Sequence, residues 1–130
     1  MKGKFMLSKI LSIVSLILFF LLMIIYPLKN LKINNLSGEF KNKVYYKLKK
    51  NHILIGGLFL IFSLIHGILA IKSGSVDGVK SGKISWIFIL LMSLLIIFKN
   101  INKEKWMKIH RLMAIIAMIL IIIHIGGVII

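Results

Sequence analysis

The distribution of charged residues along the chain constrains its fold more than any other feature. Four long stretches contain no Lys, Arg, Asp or Glu, and the charged residues lie between them. A helix needs about 20 apolar residues to cross the roughly 30 Å hydrocarbon core of a bilayer. The third stretch has only 15 residues, but Lys83 and Lys99 at its ends can extend their side chains to the interface. The charge-free stretches cover residues 10–28, 51–71, 84–98 and 112–130.

The composition agrees with a membrane protein. Of the 130 residues, 59% are apolar and 16% are charged, so a single soluble core could not bury the apolar surface. The sequence predicts an all-α integral membrane protein, an up-down bundle of four helices that forms one transmembrane domain. The predicted spans cover residues 8–28, 51–71, 83–101 and 108–130. Pro27 is expected to end the first helix, and Ser81-Gly82 is expected to lie in the connection before the third.

The basic residues predict how the chain sits in the membrane. The chain carries 18 Lys and Arg against 3 acidic residues, a formal charge of +15. Twelve basic residues follow the first and third spans and six lie elsewhere, so the positive-inside rule places both termini outside a cell membrane. This charge attracts anionic lipid head groups and requires no nucleic-acid partner. No A-x-A-like site follows the first apolar run, which argues against a cleaved signal peptide.

Residues 39–50 form a basic segment ahead of the second span. Val44, Tyr45, Tyr46 and Leu48 stand among five Lys in this segment. The pattern is compatible with a short interfacial helix, with the cytosolic end of the second span, or with a solvated connection.

The four histidines are the residues that point to chemistry. The chain has no Cys, which excludes disulfides, iron–sulfur clusters, thiolate zinc sites and covalently attached haem. His52 and His66 are 14 residues apart, and so are His110 and His124. Over that length a helix rises about 21 Å and ends about 40° short of four full turns. Each pair therefore lies on one face of its helix, with one His toward each membrane surface.

The two helices that carry His run in the same direction in an up-down bundle, which predicts two pairs across the bundle. His52 and His110 are expected at an inner, cytoplasmic level, and His66 and His124 at an outer level. Two imidazoles on opposite sides of a flat macrocycle give the bis-His ligation of b-type haem. A proton relay, a non-haem metal site and a structural role are the alternatives. A proton path would be expected to use a carboxylate, and the predicted spans contain none.

Small side chains beside the predicted ligands favour a flat cofactor. Gly56 and Ala114 each lie four residues after the first His of their helix, and Gly67 and Gly126 follow the second His. A bulky residue at these positions would collide with a ring plane. These four residues are therefore predicted to contact the cofactors.

Two further groups of residues complete the predicted site. Phe59 and Ala117 lie seven residues from both histidines of their own helix, so they are expected between the two cofactors. Basic residues near the ligands are expected to pair with haem propionates. They are Lys49, Lys50, Lys108 and Arg111 at the inner level and Lys72 and Lys83 at the outer level.

The spacings His52-x13-His66 and His110-x13-His124 resemble those of membrane b-type cytochromes. These include the haem-binding half of cytochrome b of the quinol-oxidising complexes and the ferric-reductase-like transmembrane domain. The segment from Trp106 to Leu112 is similar to ferric-reductase-like and bacterial b561-like proteins. The resemblance covers nearly the whole chain and implies two haem b groups. The chain departs from these families because it lacks the further helices of a quinone pocket and a G-x-G-x-x-G unit.

These observations predict a small membrane di-haem cytochrome that passes electrons across the membrane. Two axial His leave no open position on the iron, which favours electron transfer over oxygen chemistry. We expect a non-catalytic electron-transfer or haem-binding protein, at most a subunit of an oxidoreductase, with a separate redox protein or quinol as its partner. Sequestration or buffering of haem is the alternative function, and a pore or structural protein without cofactor is a third.

Overall fold

The computed structural model describes residues 2–30, 36–72, 79–100 and 102–129, and the secondary structure in those ranges is helical, without strands. Residues 101 and 130, which end two of the predicted spans, lie outside the described residues. The helices are α1 (Lys2–Met23), α2 (Ile25–Asn30), α3 (Leu36–Lys50), α4 (His52–Lys72), α5 (Val79–Leu94), a 3-10 helix (Leu95–Phe98) and α6 (Lys103–Ile129).

Four helical stretches are long and apolar enough to cross a membrane. Large apolar side chains point outward from them, such as Phe20, which is 62% exposed, and Ile53, which is 70% exposed. Lipid chains would cover these side chains in a bilayer. The predicted all-α four-helix membrane bundle is confirmed, and the chain is a multi-pass membrane protein. The spans are Met6–Asn30, His52–Lys72, Val79–Phe98 and Lys103–Gly127.

One buried layer joins the four spans. Helix α1 packs along α4, α4 against α5, and α5 against α6, whereas α4 and α6 are not a closely packed pair in the described chain. Each span contributes one buried apolar residue to a common core, namely Phe19, Phe59, Ile89 and Ala117. The rings of Phe19 and Phe59 lie 5.7 Å apart. We call these four residues the waist, because all four spans meet there.

Pro27 interrupts the first span instead of ending it. A turn at Ile24 separates α1 from α2, and Pro27 is the third residue of α2. Proline has no N–H to donate to the carbonyl of Met23, so the helix breaks and then resumes. The N–H of Leu28 donates to the carbonyl of Ile24 at 3.0 Å beyond the break. The prediction that the helix stops at Pro27 is therefore wrong.

The third and fourth spans, α5 and α6, begin earlier in the chain than the charge pattern predicts. Helix α5 includes Ser81 and Gly82 in its first turn, so the prediction that they lie in a connection is wrong. The first N–H groups of a helix have no acceptor within the helix, so Ser and Gly cost little there. Helix α6 begins at Lys103, and Asn102 Oδ1 accepts the N–H of Lys105 at 3.0 Å as an N-cap.

The basic segment ahead of the second span is helical. Helix α3 packs mainly against α2 and presents Phe40 and Tyr46, which are 71% and 65% exposed, among exposed Lys. Asn51 closes α3 by donating from Nδ2 to the carbonyl of Lys47 at 2.9 Å. Helix α4 starts at the next residue, His52. Exposed aromatic and Lys side chains on one short helix are typical of an interfacial helix.

Candidate functional site

The rings of His52 on α4 and His110 on α6 lie close together. Their ring centres lie 6.0 Å apart with the ring planes at 78°. Two imidazoles that bind one metal from opposite sides have ring centres about 6 Å apart, because each metal–nitrogen distance is about 2 Å. The structure therefore brings this pair together at a separation that suits a shared iron.

Trp106 fixes the position of the His110 ring. The two rings stack with their centres 5.2 Å apart and their planes at 14°. The indole Nε1–H donates to the carbonyl of Leu95 at 2.8 Å, which ties the start of α6 to the 3-10 helix that follows α5. The Nδ1 atom of His110 is buried and has no hydrogen-bond partner among the described residues. The ring is thus held by stacking.

His66 is held by a hydrogen bond to α1. Its Nδ1 lies 2.9 Å from the backbone carbonyl oxygen of Ser8 and 3.1 Å from the Ser8 hydroxyl. A carbonyl oxygen can only accept, so Nδ1 carries the hydrogen and donates it. The neutral ring then has its lone pair on Nε2, the nitrogen that is available to a metal. Ser8 is 6% exposed, so this contact is a buried polar link between α1 and α4.

His124 is held by the first turn of α5. Its Nδ1 lies 3.1 Å from the hydroxyl of Ser81. A Cβ atom placed on Gly82 would lie 2.9 Å from Cε1 of His124, closer than real Cβ contacts allow. The absence of a side chain at Gly82 therefore lets the imidazole lie directly against the α5 backbone.

His66 and His124 line one cavity of about 590 Å³, to which all four spans contribute. Its volume falls within the range of about 300–1,000 Å³ that is usual for cofactor pockets. The wall is mainly apolar, and Phe59 of the waist contributes to it. Its polar groups besides the two imidazoles are few, and Ser15 Oγ is buried without a partner among the described residues. Other polar lining residues are Ser12, Ser63, Lys83 and Ser85.

The small residues predicted to contact a cofactor lie in open surroundings. A Cβ atom on Gly56, Gly67 or Gly126 would meet nothing within 4 Å. Gly67 also lines the cavity, and Ala114 is half-buried. No side chain of the described residues fills the space beside these glycines, and their contact with a cofactor stays a prediction.

The predicted propionate partners occupy the surface, where several contact other side chains. Lys108 pairs with Glu104 at 2.9 Å, and both side chains are exposed. Arg111 lies over the ring of Tyr26 at 5.0 Å, and Lys49 lies 5.7 Å from the centre of the Tyr45 ring. Lys50 and Lys72 are exposed, and Lys83 is exposed while also lining the cavity. These contacts are weak enough to exchange, because exposed pairs contribute about 0–1 kcal/mol.

Sequence reasoning missed the roles of Ser81 and Gly82. The dipeptide is typical of a turn, and its contact with His124 depends on the helical register between α5 and α6. Local pattern carries no information about that register. The stacking of Trp106 on His110 could have been predicted from the sequence, because residues four positions apart on one helix are neighbours.

Comparisons with known proteins give no relative for this chain. No protein-family model, curated protein or solved structure matches it. Across the described ranges there is also no group of three or more His, Cys, Asp or Glu that could hold a metal ion. A haem iron needs only two protein ligands, because the macrocycle supplies the others.

Proposed function

We propose that this protein is a membrane di-haem b-type cytochrome that passes electrons across the membrane. The observation that carries the proposal is the 6.0 Å distance between the ring centres of His52 on α4 and His110 on α6, two helices that are not a closely packed pair in the described chain. His52 and His110 would hold one haem b, and His66 and His124 would hold the other. We place the His52/His110 end toward the cytoplasm and both termini outside, from the distribution of Lys.

The side chains around His66 and His124 suit a bound haem. His66 presents Nε2 as its lone-pair nitrogen, and His66 and His124 line a cavity large enough for a cofactor. The cavity wall is apolar, as a macrocycle requires, and Lys83 supplies a cation for a carboxylate. A bis-imidazole haem supplies reversible one-electron exchange, with no open iron position for a substrate.

The residues of this chain perform three tasks in the proposed function. Ser8 and Ser81 orient imidazoles, Trp106 holds the His110 ring, and the waist excludes water between the two levels. Together these residues hold three of the four imidazoles before a cofactor binds, those of His66, His110 and His124, which limits reorganisation during electron exchange.

Haem content tests the proposal directly. We expect the protein purified in detergent from haem-replete cells to give two b haems per chain in a pyridine haemochrome assay. The reduced-minus-oxidised spectrum should show sharp low-spin bands. A colourless protein that takes up no added haem would contradict the proposal. Two other results together would instead support sequestration. Native membranes would fail to reduce the bound haem with a physiological donor, and cells that lack the protein would be sensitive to haem.

Gly82→Ala is expected to weaken haem binding at the His66/His124 pair. The new methyl group would meet His124 Cε1 at 2.9 Å, so the ring must leave the position that Ser81 supports. Disturbing the support of a metal-binding imidazole typically lowers affinity by about 10–100-fold. Haem titration of the reconstituted variant measures this loss.

Gly3→Ala is the matched control for this substitution. Gly3 is exposed at the start of α1, a Cβ atom there meets nothing within 4 Å, and Ala is favoured over Gly within a helix. We expect both haem affinities to stay at the wild-type level. Equal losses in the Gly3→Ala and Gly82→Ala proteins would contradict a specific role for Gly82.

A further inference from the structure

The two His pairs differ in the surroundings of Nδ1, the ring nitrogen opposite the one proposed to bind iron. His66 Nδ1 donates to the Ser8 carbonyl at 2.9 Å, and His124 Nδ1 lies 3.1 Å from the Ser81 hydroxyl. In contrast, His110 Nδ1 is buried and has no hydrogen-bond partner in the described part of the chain. Both rings of the His66/His124 pair therefore have a polar partner at Nδ1, whereas His110 has none among the described residues.

This difference has an electronic consequence for a bound metal. An imidazole that donates Nδ1–H is more basic at Nε2 and gives more electron density to the metal. Greater donation stabilises the ferric state over the ferrous state and lowers the reduction potential. A buried imidazole without such an acceptor donates less, which favours the ferrous state and a higher potential.

Cationic side chains lie near both His pairs, so nearby charge does not offset the difference in hydrogen bonding at Nδ1. Lys83 lines the cavity of the His66/His124 pair, while Lys108 and Arg111 lie close to His110 in the chain. Glu104, at the start of α6, is the only Asp or Glu in the described spans, and it pairs with Lys108. Hydrogen bonding to Nδ1 is thus the feature that distinguishes the pairs most clearly.

We propose that Ser8 and Ser81 are positioning residues that make His66/His124 the lower-potential site of the two. This inference rests on the proposed haem ligation and deepens it. A one-electron carrier bound by His66 and His124 is then a stronger reductant than one bound by His52 and His110. Electron exchange between the two sites is then downhill toward the His52/His110 end when no membrane potential opposes it.

Spectroelectrochemistry of the haem-loaded, full-length protein in detergent tests this proposal. We expect two b-type components of different midpoint potential in the wild type. Ser81→Ala removes the hydroxyl beside His124 Nδ1, so it should raise the lower potential and leave the upper one in place. Each tenfold change in the equilibrium constant corresponds to about 59 mV for one electron. Ser8→Ala should produce a smaller rise, because the backbone carbonyl of Ser8 still accepts from His66.

Matched Ser variants control for general effects of the substitution. Ser93 on α5 donates to Ile89 O at 2.9 Å and does not line the cavity, so its hydroxyl serves no His. Ser93→Ala should leave both potentials unchanged. Ser81→Thr retains a hydroxyl and should restore the lower potential, which a purely structural role for Ser81 would not explain.

The outcomes separate this inference from the haem proposal. A protein that binds no haem contradicts both. A protein with two haems of equal potential, or with a lower potential that Ser81→Ala shifts no more than Ser93→Ala, overturns only the inference. Nitrogen-15 NMR of the haem-free protein gives a second readout if Ser81→Ala fails to fold. The wild-type His66 should be the tautomer with hydrogen on Nδ1, and the other tautomer would overturn the inference.

Discussion

His66→Ala is expected to remove one of the two haems from each chain and to leave the other in place. The remaining axial His cannot hold both iron positions, so low-spin bis-His ligation at that level is lost. His124→Ala should have the same result, because the two imidazoles line the same cavity. The pyridine haemochrome assay should give about half of the wild-type haem for each variant.

Double variants make this prediction a test of pairing. His66→Ala combined with His124→Ala should lose no more haem than either single variant, since both substitutions affect one site. His66→Ala combined with His110→Ala should lose both haems, since each substitution affects a different site. The rings of His52 and His110 lie 6.0 Å apart, which supports this assignment of partners. Loss of both haems from the first double variant would contradict the pairing.

Phe59→Ala is expected to lower the free energy of unfolding by about 3 kcal/mol, the lower end of the usual cost of removing a buried Phe ring. Phe59 is 5% exposed and contacts Phe19 in the waist, where each of the four spans contributes one buried residue. Lipid cannot fill the space left at that position, so the helices lose packing contacts that associate them in a bilayer. Equilibrium unfolding in mixed detergent micelles with increasing dodecyl sulfate measures the change.

Phe20→Ala is the matched control for the waist. Phe20 is adjacent to Phe19 on α1 but is 62% exposed on the outer surface of the bundle. Detergent or lipid replaces the missing ring there, so the free energy of unfolding should change by less than about 0.5 kcal/mol. Equal destabilisation by the two substitutions would show that the waist does not hold the four spans together.

Several features of the fold were predictable because they depend on local sequence. The charge-free stretches predict four spans, since burying charge in hydrocarbon is costly and each helix satisfies its own backbone hydrogen bonds. The helix boundaries were less predictable. Pro27 and the pair Ser81-Gly82 are typical breakers, yet each lies within a helix, near its first turn, where backbone N–H groups lack acceptors anyway.

Part of the candidate site also followed from spacing alone. The 14-residue separation on two helices predicts that His52 lies level with His110, and the structure places the two rings 6.0 Å apart. The same periodicity predicts that Phe59 and Ala117 lie at a common level, and both are buried in the waist. Haem ligation by these residues stays a prediction that the haemochrome assay decides.

The sequence by itself determined the number of spans, their composition and the levels of the four histidines, because helical periodicity and the cost of charge in a bilayer act locally. Only the tertiary structure decided what surrounds each imidazole. Ser8 reaches His66 from α1, and Gly82 admits His124 against α5, through contacts between residues 58 and 42 positions apart in the chain. Such contacts depend on the axial register between helices, which is set by side-chain packing at the waist and has no periodic signature in the chain.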